Sequence, residues 1–228
     1  MVLSVHPQGE PERRNIMTEI LNKNTDQTEK AGTVSRTENR KRINTIVGVG
    51  VMIAIVVVLQ LLSSVIKFGP FSITLALTAM IVGGAIYGVW AGGILGFAMG
   101  VTVLLSGDAA AFLAINVPGT ILTVLLKGAL AGAAGAAVYR LLEKRGRFVS
   151  VVAASITAPI VNTGIFLLGV CFFFLDTVSS WAGDAPVGEF IFTGLIGLNF
   201  PVELVVNLAL STVAVTIIGI AKKTIAER

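Results

Sequence analysis

INTIVGVGVMIAIVVVLQLLSSVI, residues 43–66, continues for 24 positions without one charged side chain. At 1.5 Å per residue a helix of that length reaches about 36 Å, enough to cross a hydrocarbon core about 30 Å thick. No polar face interrupts it, as one would in the amphipathic helix of a water-soluble domain. The rest of the chain has the same character. Of 228 residues, 54% are hydrophobic and 13% charged, with a mean hydropathy of +0.87, against about 25% charged in an ordinary soluble domain. The fold class expected is an all-α integral membrane protein.

Working outward, Arg40-Lys41-Arg42 introduces this first span. Residues 1–42 hold eight Lys/Arg and six Asp/Glu with few large apolar groups. They lack the apolar region of a signal peptide and read as a disordered cytoplasmic tail. On the other side KFGP ends the helix, because Gly69-Pro70 cannot continue it. Helices 2 and 3 are expected within 71–106, both short and hinged between Gly88 and Gly93. SGDAAAF forms a loop, and helix 4 runs over about 116–139 with Pro118 near its start. YRLLEKRGR is a basic loop, followed by helix 5 over about 149–175. The polar stretch DTVSSWAGDAPVGEF and a half-hydrophobic segment lead to helix 6, about 200–221. The expected organisation is the tail 1–42, a six-helix membrane domain over 43–223, and a cytoplasmic end 224–228.

Charge placement gives an orientation. The tail, the 140–147 loop and the C-terminal segment hold fifteen of the seventeen Lys/Arg. The opposite loops hold Lys67, with Asp108, Asp176, Asp184 and Glu189. By the positive-inside rule both termini are cytoplasmic, in the cell membrane. The net charge of +4 is then topology, and no aromatic-interleaved basic groove argues for nucleic acid.

Small residues recur every fourth position. Gly84, Gly88, Gly92, Gly96 and Gly100 run through helices 2 and 3, and Gly128, Gly132 and Ala136 repeat the spacing in helix 4. Such faces let helix backbones approach closely. On helix 1, Gly48, Gly50 and Ala54 form a similar face, open to the bundle itself or to a partner helix.

Polar residues inside apolar spans are the candidates for function. Lys127 lies roughly 16 Å down helix 4, near the midplane, where a lysine costs about 2.5–3.5 kcal/mol on insertion scales. Snorkelling from there to an interface is strained. On helix 6, Asn199, Glu203 and Asn207 follow i, i+4, i+8 and share one face. Asn162 sits mid-way along helix 5 beside Thr163 and after Pro159, whose ring frees a backbone carbonyl. Gln60 lies in the outer half of helix 1. These residues either form a static network, with Lys127 paired to Glu203, or line an outward-facing wet cavity that holds a polar ligand.

Several classes are excluded by what the sequence lacks. His6, in the tail, is the sole histidine, which removes His-based catalysis within the membrane and the usual metal sites. HExxH, GxSxG and the GxxxxGK[ST] phosphate loop are missing. The chain is not expected to be an enzyme, to hold a cofactor or to hydrolyse ATP. A lone Cys171 allows no internal disulfide.

With these features in place the chain resembles a family, the substrate-binding S components of energy-coupling factor (ECF) vitamin transporters. FGPFSITLALTAMIVGGAIYGVWAGGILGFAMG (68–100) resembles that family's helices 2–3, and PGTILTVLLKGALAGAAGAAVYRLLEKR (118–145) its helix 4 and basic loop. APIVNTGIFLLG (158–169) and LNFPVELVVNLAL (198–210) resemble its helices 5 and 6. The likeness covers roughly 43–223 and rests on pattern and glycine placement.

The resemblance implies a vitamin-binding subunit without transport energy of its own, partnered by a transmembrane coupling subunit and two ATPases. The family contacts the coupling subunit through an Ala-x-x-x-Ala face on helix 1, here Gly50 and Ala54, with glycine a departure at the first position. The family is thought to topple in the membrane to carry its pocket inward. The loop Lys67, Phe68, Gly69, Pro70 and Phe71 would act as a lid. The expected substrate-binding residues are Lys127, Asn162, Asn199, Glu203, Asn207 and Gln60. Lys127 suits a carboxylate and the asparagines suit hydroxyl or amide groups. Pantothenate fits best, with lipoate, folate or another acidic vitamin as alternatives. Two Trp and two Tyr argue against flat ring systems. The competing expectation is a stand-alone ion-coupled secondary transporter.

Overall fold

The computed structural model describes residues 10–65, 67–68, 71–72, 74–197 and 199–226. It is helical almost throughout. In chain order the elements are α1 (Glu10–Val65), a two-stranded antiparallel hairpin of β1 (Lys67–Phe68) and β2 (Phe71–Ser72), α2 (Ala76–Tyr87), α3 (Val89–Ser106) and α4 (Ala110–Leu113). There follow α5 (Val117–Leu142), α6 (Arg147–Phe173), α7 (Leu175–Ala182), α8 (Val187–Phe190), a π-helical turn over Ile191–Ile196, and α9 (Asn199–Ala226). The chain divides into two compact units, Met1–Val47 and Gly48–Arg228.

In the first unit the described residues belong to α1, which is helical from Glu10. This differs from the disordered tail expected over 1–42. Glu, Lys, Arg and Gln are good helix formers, and a helix already nucleated adds such residues at little cost. Residues 1–9 lie outside the described residues.

In the second unit each expected span corresponds to a helix: the second half of α1, then α2, α3, α5, α6 and α9. Among the described residues, five helical runs are long and apolar enough to cross a membrane. The exception is α2, whose 12 residues span about 18 Å against a core about 30 Å thick. Nine of its residues are buried, including Leu77, Met80 and Ile81. A helix apolar on every side has nothing to turn toward water, and α2 fills the centre of the bundle between α3, α5, α6 and α9.

Gly88 separates α2 from α3 with φ of 113°, a value that favours glycine. It is the hinge expected between 88 and 93. The repeats on either side pack backbone to backbone. A Cβ placed on Gly96 would run into the Gly128 carbonyl, and one on Gly92 would sit 2.5 Å from the Gly132 carbonyl oxygen. The contact is reciprocal, since Gly128 and Gly132 face the carbonyls of Gly96 and Gly92. Helices α3 and α5 therefore approach as only small residues permit.

Helix α1 shows why Gly48 and Gly50 do not share a face. Two positions turn a helix through about 200°. Gly48 faces the Tyr87 ring inside the bundle, and nothing lies within 4 Å of Gly50. Val49, Val56, Gln60 and Ser63 are buried on the inner side, and Ala54 is exposed with Gly50 on the outer.

Two ends of the bundle are distinct. At one, Tyr87 meets Gly48, the Arg140 guanidinium approaches Gly88, and Lys222 pairs with Glu143 while lying 5.0 Å from the centre of the Tyr139 ring. The α5–α6 turn and the end of α9 are thus neighbours. At the other end Phe112, Val170, Phe174, Val178 and Leu195 form a separate apolar cluster. The candidate site lies toward that second end.

Candidate functional site

Helix α5 begins with a defined cap. The Asn116 side chain accepts from the Gly119 N–H at 3.0 Å, and Pro118 occupies the first turn, where its missing N–H does no harm. This start aims Thr120, Thr123 and Lys127 along one face, spaced by three and four residues. From α6 come Asn162, Thr163 and Phe166, and from α9 Asn199, Phe200 and Glu203. Gln60 of α1, Thr74 ahead of α2 and Asp108 after α3 complete the polar wall. Together they enclose a cavity of about 120 Å³.

Of the six residues expected to bind substrate, Lys127, Asn162, Asn199, Glu203 and Gln60 line this cavity. Asn207 does not. It is fully buried, accepts from the Thr78 hydroxyl at 2.9 Å and donates to the Glu203 carbonyl at 2.9 Å. The i, i+8 spacing places it on the right face of α9, but at its depth that face meets α2 instead of the cavity. It bridges α2 and α9.

Lys127 and Glu203 are not joined by an ion pair, although each lies within the other's electrostatic reach. Asp108 also acts on Lys127. The Lys127 ammonium lies 5.4 Å from the centre of the Phe166 ring, an attractive arrangement for a cation over an aromatic face. Thr74 lies beside the Glu203 carboxylate, whose Oε1 has no hydrogen-bond partner. Asp108 accepts from Ser64 at 2.5 Å and from Ser106 at 3.1 Å, which ties the loop after α3 to α1.

Unpartnered oxygens concentrate here. Gln60 Oε1, Thr123 Oγ1, Asn162 Oδ1, Asn199 Oδ1 and Glu203 Oε1 are buried without a hydrogen-bond partner in the protein, and all five residues line the cavity. A buried polar group left without any partner costs about 1–3 kcal/mol, so these oxygens call for a partner such as an ordered water, an ion or a ligand. Ser155 Oγ, one turn before Pro159 and not among the lining residues, is in the same condition.

The site also holds residues that the sequence did not single out. Phe112, Phe166, Phe174 and Phe200 form an aromatic wall, with Phe112 edge-on to Phe166, Phe174 and Trp181 at 5.0–5.9 Å. Phenylalanine, not Trp or Tyr, supplies the aromatic surface among the lining residues. Periodicity offered a signal: Phe166 is four residues after Asn162, and Thr123 is four before Lys127. Asp108 carried a weaker one, an acid in a short loop that the positive-inside rule discounts.

The other expected site residues fall elsewhere. Gly50 and Ala54 form an exposed patch on α1, away from the cavity. Lys67, Phe68 and Phe71 belong to the β1–β2 hairpin, while Gly69 and Pro70 lie outside the described residues. The cavity wall beyond Phe174 is the π-helical turn, which contributes Leu195 and Ile196 and ends at Gly197 with φ of 43°.

The chain matches no family model, no curated protein and no solved structure.

Proposed function

We propose that the chain is the substrate-binding membrane subunit of an energy-coupling factor vitamin importer, taking up a small carboxylate-bearing vitamin of the pantothenate type. The single observation that carries this reading is the gathering of five unpartnered buried oxygens and one lysine around one cavity in an apolar bundle. A static network would have used those groups on one another. A polar ligand supplies the missing partners: its carboxylate to Lys127, its hydroxyl and amide groups to Gln60, Asn162 and Asn199, and its apolar portion to the phenylalanines.

The bundle ends support an orientation with both termini cytoplasmic. The α5–α6 turn and the end of α9, both basic, are neighbours, and basic segments favour the cytoplasmic side. Counting α2 as a crossing keeps both termini there. A short helix sheathed by neighbours need not reach the headgroups itself, since its backbone groups are bonded within the protein. The cavity then faces outward, where a scarce vitamin is met.

The cavity volume of about 120 Å³ is below the range of roughly 300–1,000 Å³ usual for drug-sized ligands. Binding must widen it. The π-helical turn over Ile191–Ile196 is the wall best suited to move, because π turns are rare and cluster at functional sites. The chain has no ATPase motif, so uptake is driven by a coupling subunit and two ATPases, docked on the exposed Gly50–Ala54 patch of α1.

Reconstitution in liposomes tests this. Vitamin uptake should require the coupling complex and ATP. Uptake by the chain alone under an imposed proton or sodium gradient would replace this reading with a stand-alone secondary transporter.

A further inference from the structure

The opposite end of the bundle carries a concentration of positive charge that the cavity does not use. Residues 140–147 hold Arg140, Lys144, Arg145 and Arg147 against one acid, Glu143. That acid is engaged by Lys222 of α9, whose ammonium also lies over the Tyr139 ring. Among the described residues no acid pairs with the other four, and all four are exposed. Arg147 is nevertheless held in place. A Cβ on Gly219 would run into its guanidinium, so the side chain reaches from the start of α6 across to α9 and fills the space above that glycine. Gly219 and Lys222 stand about one helical turn apart on α9. The two ties therefore border one notch between α6 and α9. Phe148, next to Arg147 in sequence, and Ile220, next to Gly219, are both exposed.

We infer that this notch binds the headgroup of an anionic phospholipid. Arg147 meets the phosphate, Lys144 and Arg145 stand at the rim, and the acyl chains run along the exposed apolar side chains. A guanidinium is a planar fork that pairs two N–H donors with phosphate oxygens, and packing against Gly219 restricts the direction of that fork. Basic pockets between membrane helices suit anionic headgroups, and each Lys or Arg near them is worth about fivefold in affinity. A soluble phosphate offers nothing to Phe148 and Ile220, which favours the lipid as its source. The inference is independent of the vitamin-binding reading and of the leaflet that the basic end meets.

The full chain in detergent is incubated with phosphatidylglycerol, phosphatidylcholine or the deacylated headgroup glycerophosphoglycerol, and bound molecules are counted by native mass spectrometry. Phosphatidylglycerol should bind at least about tenfold tighter than phosphatidylcholine, and the deacylated headgroup should not displace it at equal concentration. Arg147→Gln should weaken phosphatidylglycerol binding about ten- to a hundredfold. Gly219→Ala is the sharper variant. It keeps every charge and raises helix propensity, yet pushes the guanidinium out of the notch, and should also cost about tenfold or more. Arg140→Gln removes an equal charge beside Gly88, at the α2–α3 junction, and should leave binding level. Melting temperatures identify the variants that fold. Equal binding of the two lipids, or displacement by the deacylated headgroup, would overturn the inference. So would undiminished binding by Gly219→Ala, or a loss in Arg140→Gln equal to that in Arg147→Gln, since either makes the attraction a diffuse field of charge.

Discussion

Lys127 and Glu203 face one cavity from α5 and α9 and feel each other's charge without closing an ion pair. That separation is informative. A charge pair whose only purpose was to make a lysine tolerable in an apolar bundle would be closed, because bringing the two charges together is what offsets their desolvation. Held apart, with Glu203 Oε1 unpartnered, the two leave room for a third participant.

Lys127→Met keeps the apolar volume and removes the charge. If the ammonium meets a ligand carboxylate, affinity should fall about ten- to a hundredfold, the equivalent of roughly 1.5–3 kcal/mol. Glu203→Gln should cost less, because Thr74 still supports the side chain. Titration calorimetry and melting temperature on both variants check this. A static network predicts the opposite, with both variants destabilised and affinity per folded molecule unchanged.

Asn207→Ala should act on stability alone. It removes the bonds to the Thr78 hydroxyl and the Glu203 carbonyl, and interhelical bonds within membranes are worth about 0.6–2 kcal/mol. The melting temperature should drop while ligand affinity of the folded fraction stays level. A selective loss of affinity would return Asn207 to the site.

The glycines divide into two classes by what a Cβ would meet. Gly96→Ala drives a methyl group into the Gly128 carbonyl, so the α3–α5 seam must open; the loss should be at the severe end for a single substitution, beyond about 4 kcal/mol. Gly50→Ala meets nothing within 4 Å and should leave the melting temperature unchanged. Thermal denaturation of the two side by side is the check.

Gly50→Leu and Ala54→Leu test the proposed docking face on α1. Both positions are exposed on α1, so the isolated subunit should fold and bind ligand normally. Transport in the reconstituted complex should fall sharply, because a large residue keeps a partner helix from approaching. Normal transport by both variants would move the docking face elsewhere.

The legible part of this protein was whatever is expensive in an apolar setting. Lys127, Glu203 and Asn162 stand out in sequence because lipid offers them nothing, and all three line the cavity. The glycine repeats were legible for a related reason, since their spacing has no use except close packing. Phe112 and Phe166 were not legible: phenylalanine is as welcome against lipid as in a pocket, and Phe97, Phe172 and Phe192 are exposed on the bundle surface. Asn207 shares a face with Glu203 yet lies against Thr78, because helical spacing fixes a face but not which neighbour covers it at each depth.

Native mass spectrometry of the full chain, released from detergent after incubation with pantothenate, tests the central claim most directly. The account predicts one bound vitamin per chain, with occupancy reduced in Lys127→Met at the same vitamin concentration. A wild-type chain that stays folded yet carries no small molecule at any concentration tried would contradict it, and the cavity would then be a structural feature of the bundle.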